Sequence, residues 1–60
     1  MKKYYVWDIT TFIYAGSILC KEQDKPFNST ALKPLPFKDM NEIVWNGNAW
    51  EYQPMNEENV

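Results

Sequence analysis

The sequence contains no histidine, no arginine and only one cysteine, Cys20. Without histidine, neither a Ser-His nor a Cys-His nucleophilic pair can form, and one cysteine provides neither a disulfide nor a zinc ligand set. The carboxylates stand in no catalytic or calcium-binding motif. The chain is therefore expected to be non-enzymatic, with no catalytic residue, metal ligand or cofactor, and Cys20 is interpreted as a small buried hydrophobe.

Positive charge is scarce and scattered. Six lysines and eight carboxylates give a formal net charge of −2, with no cluster of basic residues. Nucleic-acid-binding surfaces gather Lys and Arg, and bidentate contacts to phosphate or guanine are mainly made by arginine. No apolar run approaches the ~18 residues that a membrane span requires. Neither a nucleic acid nor a membrane is expected as a partner.

The chain is short but rich in aromatic residues. At 60 residues, a single domain buries only about 60% of the surface that its unfolded chain exposes. Three tryptophans, four tyrosines and three phenylalanines compensate, because each ring can bury roughly 150 to 250 Å². Self-association, a common reinforcement of small domains, stays open as an alternative.

The first third of the chain predicts a β-hairpin. Residues 4–10 and 11–20 are mostly aromatic, β-branched or apolar, and Asp and Thr side chains at 8–11 favour a turn between them. Gly16 lies between small residues, where a strand can bulge or approach another backbone closely. A helix over residues 12–20 is disfavoured, since Gly16 would occupy its centre and no capping box precedes it.

The middle of the chain is predicted to be extended. Residues 21–25 form a polar loop, and 27–36 show no regular periodicity. Pro34 and Pro36 fix φ and remove two backbone donors, so 33–37 is predicted to be a strap that lays Leu35 or Phe37 over the sheet. The alternative, a proline-rich ligand for an aromatic groove, depends on one isolated Pro-x-Pro.

Residues 44–50 predict a second hairpin, with Asn46 and Gly47 as the positive-φ residues of a type I′ turn. A two-residue loop would pair Trp45 with Asn48, and a four-residue loop would pair Trp45 with Trp50. Strand alternation gives the same faces in both cases. One face carries Ile43, Trp45, Trp50 and Tyr52, and the other carries Val44 and Glu51.

Aromatic side chains are the candidate binding residues, because flat rings stack on sugars and are enriched at binding surfaces. The candidates are Trp7, Tyr14, Trp45, Trp50 and Tyr52. A core this thin also needs its own tryptophans. We therefore expect Trp45 and Trp50 to be mainly structural, with at least one ring partly exposed.

Together these patterns predict a mainly β fold: one small domain over residues 1–54, made of two antiparallel hairpins joined by a proline-containing extended strap. Residues 55–60 combine two glutamates and two asparagines without an apolar pattern. They are expected to form a flexible tail.

The order of these signals resembles the small amino-terminal modules of phage tail-fibre assembly proteins and related tail proteins. The matching segments are Tyr5-Val6-Trp7-Asp8, Thr10-Thr11, Tyr14-Ala15-Gly16, Pro34-Leu35-Pro36 and Val44-Trp45-Asn46-Gly47-Asn48-Ala49-Trp50-Glu51. Those proteins continue into a longer region that contacts the fibre, so the resemblance implies either the module alone or a truncated relative.

The resemblance implies a non-enzymatic phage or prophage protein that binds a tail fibre or helps to assemble it. Such a protein would work in the cytoplasm of the bacterial host or on the virion. Two other interpretations stay open: a carbohydrate-binding or adhesin-like module that uses exposed tryptophan and tyrosine, and a small phage inhibitor of a host protein.

Overall fold

The computed structural model describes residues 1–55, which form a mainly β structure with two antiparallel sheets. The strands are β1 (Lys2–Trp7), β2 (Tyr14–Cys20), β3 (Ser29–Thr30), β4 (Asn41–Trp45) and β5 (Trp50–Pro54). The first sheet has the order β2-β1-β3 and the second pairs β4 with β5. The predicted fold class and both predicted hairpins are confirmed.

The end of the described region is bonded to the turn before β4. The Met55 amide donates to the Met40 carbonyl at 3.1 Å. The remainder of the predicted flexible tail, residues 56–60, lies outside the described residues.

The first hairpin turns around the side chain of Asp8. Asp8 Oδ1 accepts hydrogen bonds from the amides of Thr10 at 2.7 Å and Thr11 at 3.1 Å. This is the local side-chain-to-backbone bonding that makes Asp a turn residue. The first strand ends earlier and the second begins later than predicted, because the turn occupies the whole segment between Trp7 and Tyr14.

Gly16 marks a β-bulge, as its small neighbours indicated. Val6 pairs with Gly16 but Trp7 pairs with Tyr14, so Ala15 is the extra residue. Gly16 adopts φ +130°, and a Cβ built there would meet no atom within 4 Å. The glycine is therefore required by backbone conformation rather than by a close approach.

Two features of the middle segment were not predicted. Residues Glu22–Asp24 form a 3₁₀ turn within the polar loop. Ser29 and Thr30 then pair with Val6 and Tyr5, which makes β3 a short edge of the first sheet. Ser29 is buried, and its hydroxyl donates to the Pro26 carbonyl at 2.6 Å.

The second hairpin uses the four-residue loop and places Trp45 opposite Trp50. The predicted shared face of Ile43, Trp45, Trp50 and Tyr52 follows from this register. The predicted type I′ turn is wrong: Gly47 has φ +103°, but Asn46 does not adopt a positive φ. Instead Asn46 Oδ1 accepts the amides of Asn48 at 2.8 Å and Ala49 at 2.9 Å, and this bonding organises the wider loop.

Side-chain donors of β5 bond the proline strap, residues 33–37, and the residue just before it. The Trp50 indole N–H donates to the Leu32 carbonyl at 2.9 Å, and the Tyr52 hydroxyl donates to the Pro36 carbonyl at 2.7 Å. Leu35 is half-buried, as the strap prediction allowed. Phe37, the alternative named with Leu35, is 81% exposed and does not cover the sheet.

The core is thin and aromatic. Its buried hydrophobic residues are Tyr4, Trp7, Val44 and Trp50. The two sheets meet at the turn of the first hairpin, where Ile13 forms a bridge with Val44. Cys20 is half-buried at the end of β2, where the sequence was interpreted as making it a small buried hydrophobe.

Candidate binding groove

The structure brings four of the five sequence-predicted aromatic residues into one cluster. Trp7 stacks on Trp45 with ring centroids 4.9 Å apart and planes at 10°. Trp50 meets both rings edge-on, at 6.0 Å from Trp7 and 5.2 Å from Trp45. Tyr14 meets Trp50 edge-on at 5.5 Å. Stacked and edge-to-face pairs at these distances are favourable beyond simple burial.

Tyr52 stands apart from this cluster and has a structural role. Its hydroxyl is bonded to Pro36, and the Lys38 ammonium lies 5.0 Å from the centre of its ring. Similar contacts join Lys25 to Tyr4 at 5.6 Å and Lys3 to Tyr5. Three of the scattered lysines thus lie over tyrosine rings, where a cation–π contact is worth roughly 0.5 to 1 kcal/mol at exposed sites.

The two large rings of the second hairpin differ in exposure. Trp50 is 7% exposed and its indole N–H is used inside the fold, whereas Trp45 is half-buried. This matches the expectation that both rings support the fold while at least one stays partly accessible. Of the two, Trp45 is the one that can also contact a ligand.

A groove of about 390 Å³ opens where the two hairpins meet. It is lined by Trp7, Phe12, Trp45, Asn46 and Gly47. None of these residues carries a charge, and the volume lies near the lower end of the range of roughly 300 to 1,000 Å³ that is typical of ligand pockets. Two of the predicted binding residues, Trp7 and Trp45, therefore line a concave surface.

Phe12 is the lining residue that sequence reasoning missed. It is 49% exposed and adopts φ +65°, a left-handed conformation that is uncommon for a bulky residue. Two backbone bonds hold it there: its amide donates to the Asp8 carbonyl at 2.7 Å, and its carbonyl accepts the Trp45 amide at 2.9 Å. No local sequence pattern predicts this conformation, because one of the two hydrogen bonds that maintain it comes from Trp45 in the distant second hairpin.

The groove is also lined by Asn46 and Gly47 of the second hairpin's loop. The loop closes through a bond from the Asn46 amide to the Ala49 carbonyl at 3.0 Å. Asn46 also uses its side-chain oxygen on two loop amides and its side-chain nitrogen on Glu51 at 3.3 Å. The side-chain amide of Asn46 therefore stabilises the loop, and the surface of the groove is mostly aromatic side chains and backbone.

Residues 1–55 contain no group of three or more metal-ligating side chains close enough to hold an ion. They also contain no helix long and apolar enough to cross a membrane.

No family model, no curated protein and no solved structure matches this chain.

Proposed function

We propose that the chain is a non-enzymatic binding module whose groove receives an apolar side chain of a partner protein. The uncharged groove between the hairpins carries this proposal. Phe12 lines this groove with a half-exposed ring, and its backbone is held in the left-handed conformation. Strained positions of this kind cluster at binding sites, where the surrounding structure maintains them.

The resemblance noted from the sequence supports a phage structural protein, such as a tail fibre, as the partner. Four of the five groove residues, Trp7, Trp45, Asn46 and Gly47, belong to the segments that carry the resemblance. Binding or assembly of a fibre would then use the part of the chain that is similar to those modules. The place of action would be the bacterial cytoplasm or the virion.

A glycan is the second candidate, favoured by the half-buried Trp45 ring in the groove wall. Sugar sites combine such rings with free polar groups that fix orientation. Here the only side-chain amide of the lining, that of Asn46, is already bonded on both its oxygen and its nitrogen. This commitment favours a protein partner.

The test is selection of random peptides on the immobilised wild-type chain, followed by affinity measurement against two variants. Phe12→Gly removes a ring that lines the groove, and glycine adopts the positive φ of this position without strain. The control Phe37→Ala removes a ring that is 81% exposed and lies outside the groove. We expect selected peptides to share an apolar anchor. Their affinity should fall at least about tenfold with Phe12→Gly and stay unchanged with Phe37→Ala.

If Phe12→Gly and Phe37→Ala both bind the peptides as tightly as the wild type does, the binding surface lies elsewhere. A glycan panel is measured in parallel by tryptophan fluorescence: quenching by a glycan without any selected peptide would favour the carbohydrate candidate.

For the phage assignment, the probe is a purified fibre protein from a neighbouring gene. The absence of such a gene, or equal capture by wild type and Phe12→Gly, would remove the fibre as the partner at this groove.

A further inference from the structure

The outer edge of β2 is the longest uncharged sheet edge in the described part of the chain. β2 has seven residues without charge or proline. By contrast, β3 has two residues, and β5 carries Glu51 and ends at Pro54. β4 is bridged to the first hairpin at Val44. Natural edges are usually guarded by charges, proline, bulges or short length, because an open edge pairs with other strands.

The free part of this edge lies beyond the bulge. Ile13 already bridges to β4, so the start of β2 is covered. From Ser17 onward no strand within residues 1–55 pairs with the outer side of β2, since the sheet order is β2-β1-β3. Ser17 is exposed, Ile18 is 37% exposed and Leu19 is 66% exposed.

The hydrogen bonds show which backbone groups face outward. The Trp7 amide donates to the Asn28 carbonyl at 3.1 Å, and the Trp7 carbonyl accepts from the Asn28 side chain, so Trp7 faces the β3 side. Alternate residues of an antiparallel strand face opposite neighbours. Tyr4 therefore faces β2, and so its partner Ile18 faces β1. The N–H and C=O groups of Ser17 and Leu19 consequently point away from the sheet.

We propose that this edge pairs with β2 of a second copy, so that two three-stranded sheets become one continuous sheet of six strands. A two-fold axis at Ile18 places Ser17 of each copy opposite Leu19 of the other. The N–H and C=O groups of both residues then form four hydrogen bonds between the copies, in the pairing pattern of an antiparallel ladder. The interface is isologous, as closed dimers require.

Three features favour a second copy over a foreign strand. The segment is self-complementary about Ile18, so each of its outward groups finds a partner. It contains no charge, so pairing brings no like charges together within β2. Finally, no described side chain is less than 2% exposed, and a core this thin is one that small domains commonly reinforce by association.

The proposal is tested with two substitutions at one exposed position. Leu19→Pro removes an outward N–H and no bond to β1, a change that edge strands tolerate. Leu19→Thr loses the same leucine but keeps the N–H. Sedimentation equilibrium of the full chain should show a dimer for wild type. The Leu19→Pro dimer should be at least about tenfold weaker than the Leu19→Thr dimer, because two hydrogen bonds per dimer are lost.

Amide exchange at Tyr4 and Val6 verifies that the β1–β2 ladder survives in both variants. A wild-type chain that stays monomeric up to about 1 mM would overturn the proposal, since even weak specific association is detectable there. Equal dimerisation of folded Leu19→Pro and Leu19→Thr would also overturn it. A monomer that binds extended peptides along β2 would assign the edge to a foreign strand instead.

The register is tested separately. In a Cys20→Ser background, Ile18→Cys places two thiols directly opposite each other across the two-fold axis, at a separation that a disulfide can span. Oxidised glutathione should then give a covalent dimer, and should give much less with Leu19→Cys in the same background. The reverse yield would overturn the axis at Ile18.

Discussion

The left-handed conformation of Phe12 makes a prediction whose sign is unusual. At most positions alanine is more stable than glycine, because glycine loses more backbone entropy on folding, about 0.5 to 1 kcal/mol in strands. At φ +65° the order should reverse, since the left-handed region costs an L-residue with a Cβ roughly 1 to 2 kcal/mol. Phe12→Gly should therefore be more stable than Phe12→Ala.

Both variants lose the same half-exposed ring, so their difference isolates the backbone cost. We expect about 1 kcal/mol in favour of glycine, which corresponds to a melting temperature roughly 4 to 8 °C higher in a domain of this size. The measurement is thermal unfolding followed by circular dichroism.

The matched control is Gln53, an exposed residue of β5 without positive φ. There Gln53→Ala should be more stable than Gln53→Gly, because glycine loses more backbone entropy on folding. Should alanine also be the more stable residue at position 12, the left-handed description of Phe12 would be refuted, together with the strain argument that supports the groove.

Three further substitutions test the hairpin and its strap. Gly47→Val should destabilise the fold by roughly 1 to 3 kcal/mol through strain at φ +103°, and an unchanged denaturant midpoint would contradict the loop geometry. Trp50→Ala should unfold the domain, because truncating a buried tryptophan costs about 3 to 5 kcal/mol; retained chemical-shift dispersion would show that the ring is dispensable. Tyr52→Phe should lower stability by about 0.5 to 1.5 kcal/mol, the value of its bond to Pro36, and equal melting temperatures would mean that this bond does not hold the strap.

The hairpins were predictable because their signals are local. Asp8 and the threonines after it formed the expected turn, and strand alternation placed Trp45 and Trp50 on one face before their register was known. The type I′ prediction for Asn46 and Gly47 was wrong because the Asn46 side chain offers the loop amides an acceptor. That competing interaction favours a four-residue loop.

The features that sequence did not predict depend on contacts between distant segments. Ser29 and Thr30 form a strand only because β1 offers a free edge. The groove depends on Phe12, whose conformation is maintained by a bond to Trp45, 33 positions later in the chain. Neither relationship leaves a periodicity or a motif that local reasoning can detect.

The bulge at Ala15 has a consequence for how this chain can change in evolution. Side chains alternate along a strand, so a chain without Ala15 would keep Trp7 opposite Tyr14, which would then directly precede Gly16, and Tyr14 would stay on the face of Trp7. The bulge therefore accommodates one residue without turning Tyr14 away from Trp50. Homologues should gain or lose a residue at this point more readily than in the regular part of β2, where a one-residue shift would move side chains to the opposite face.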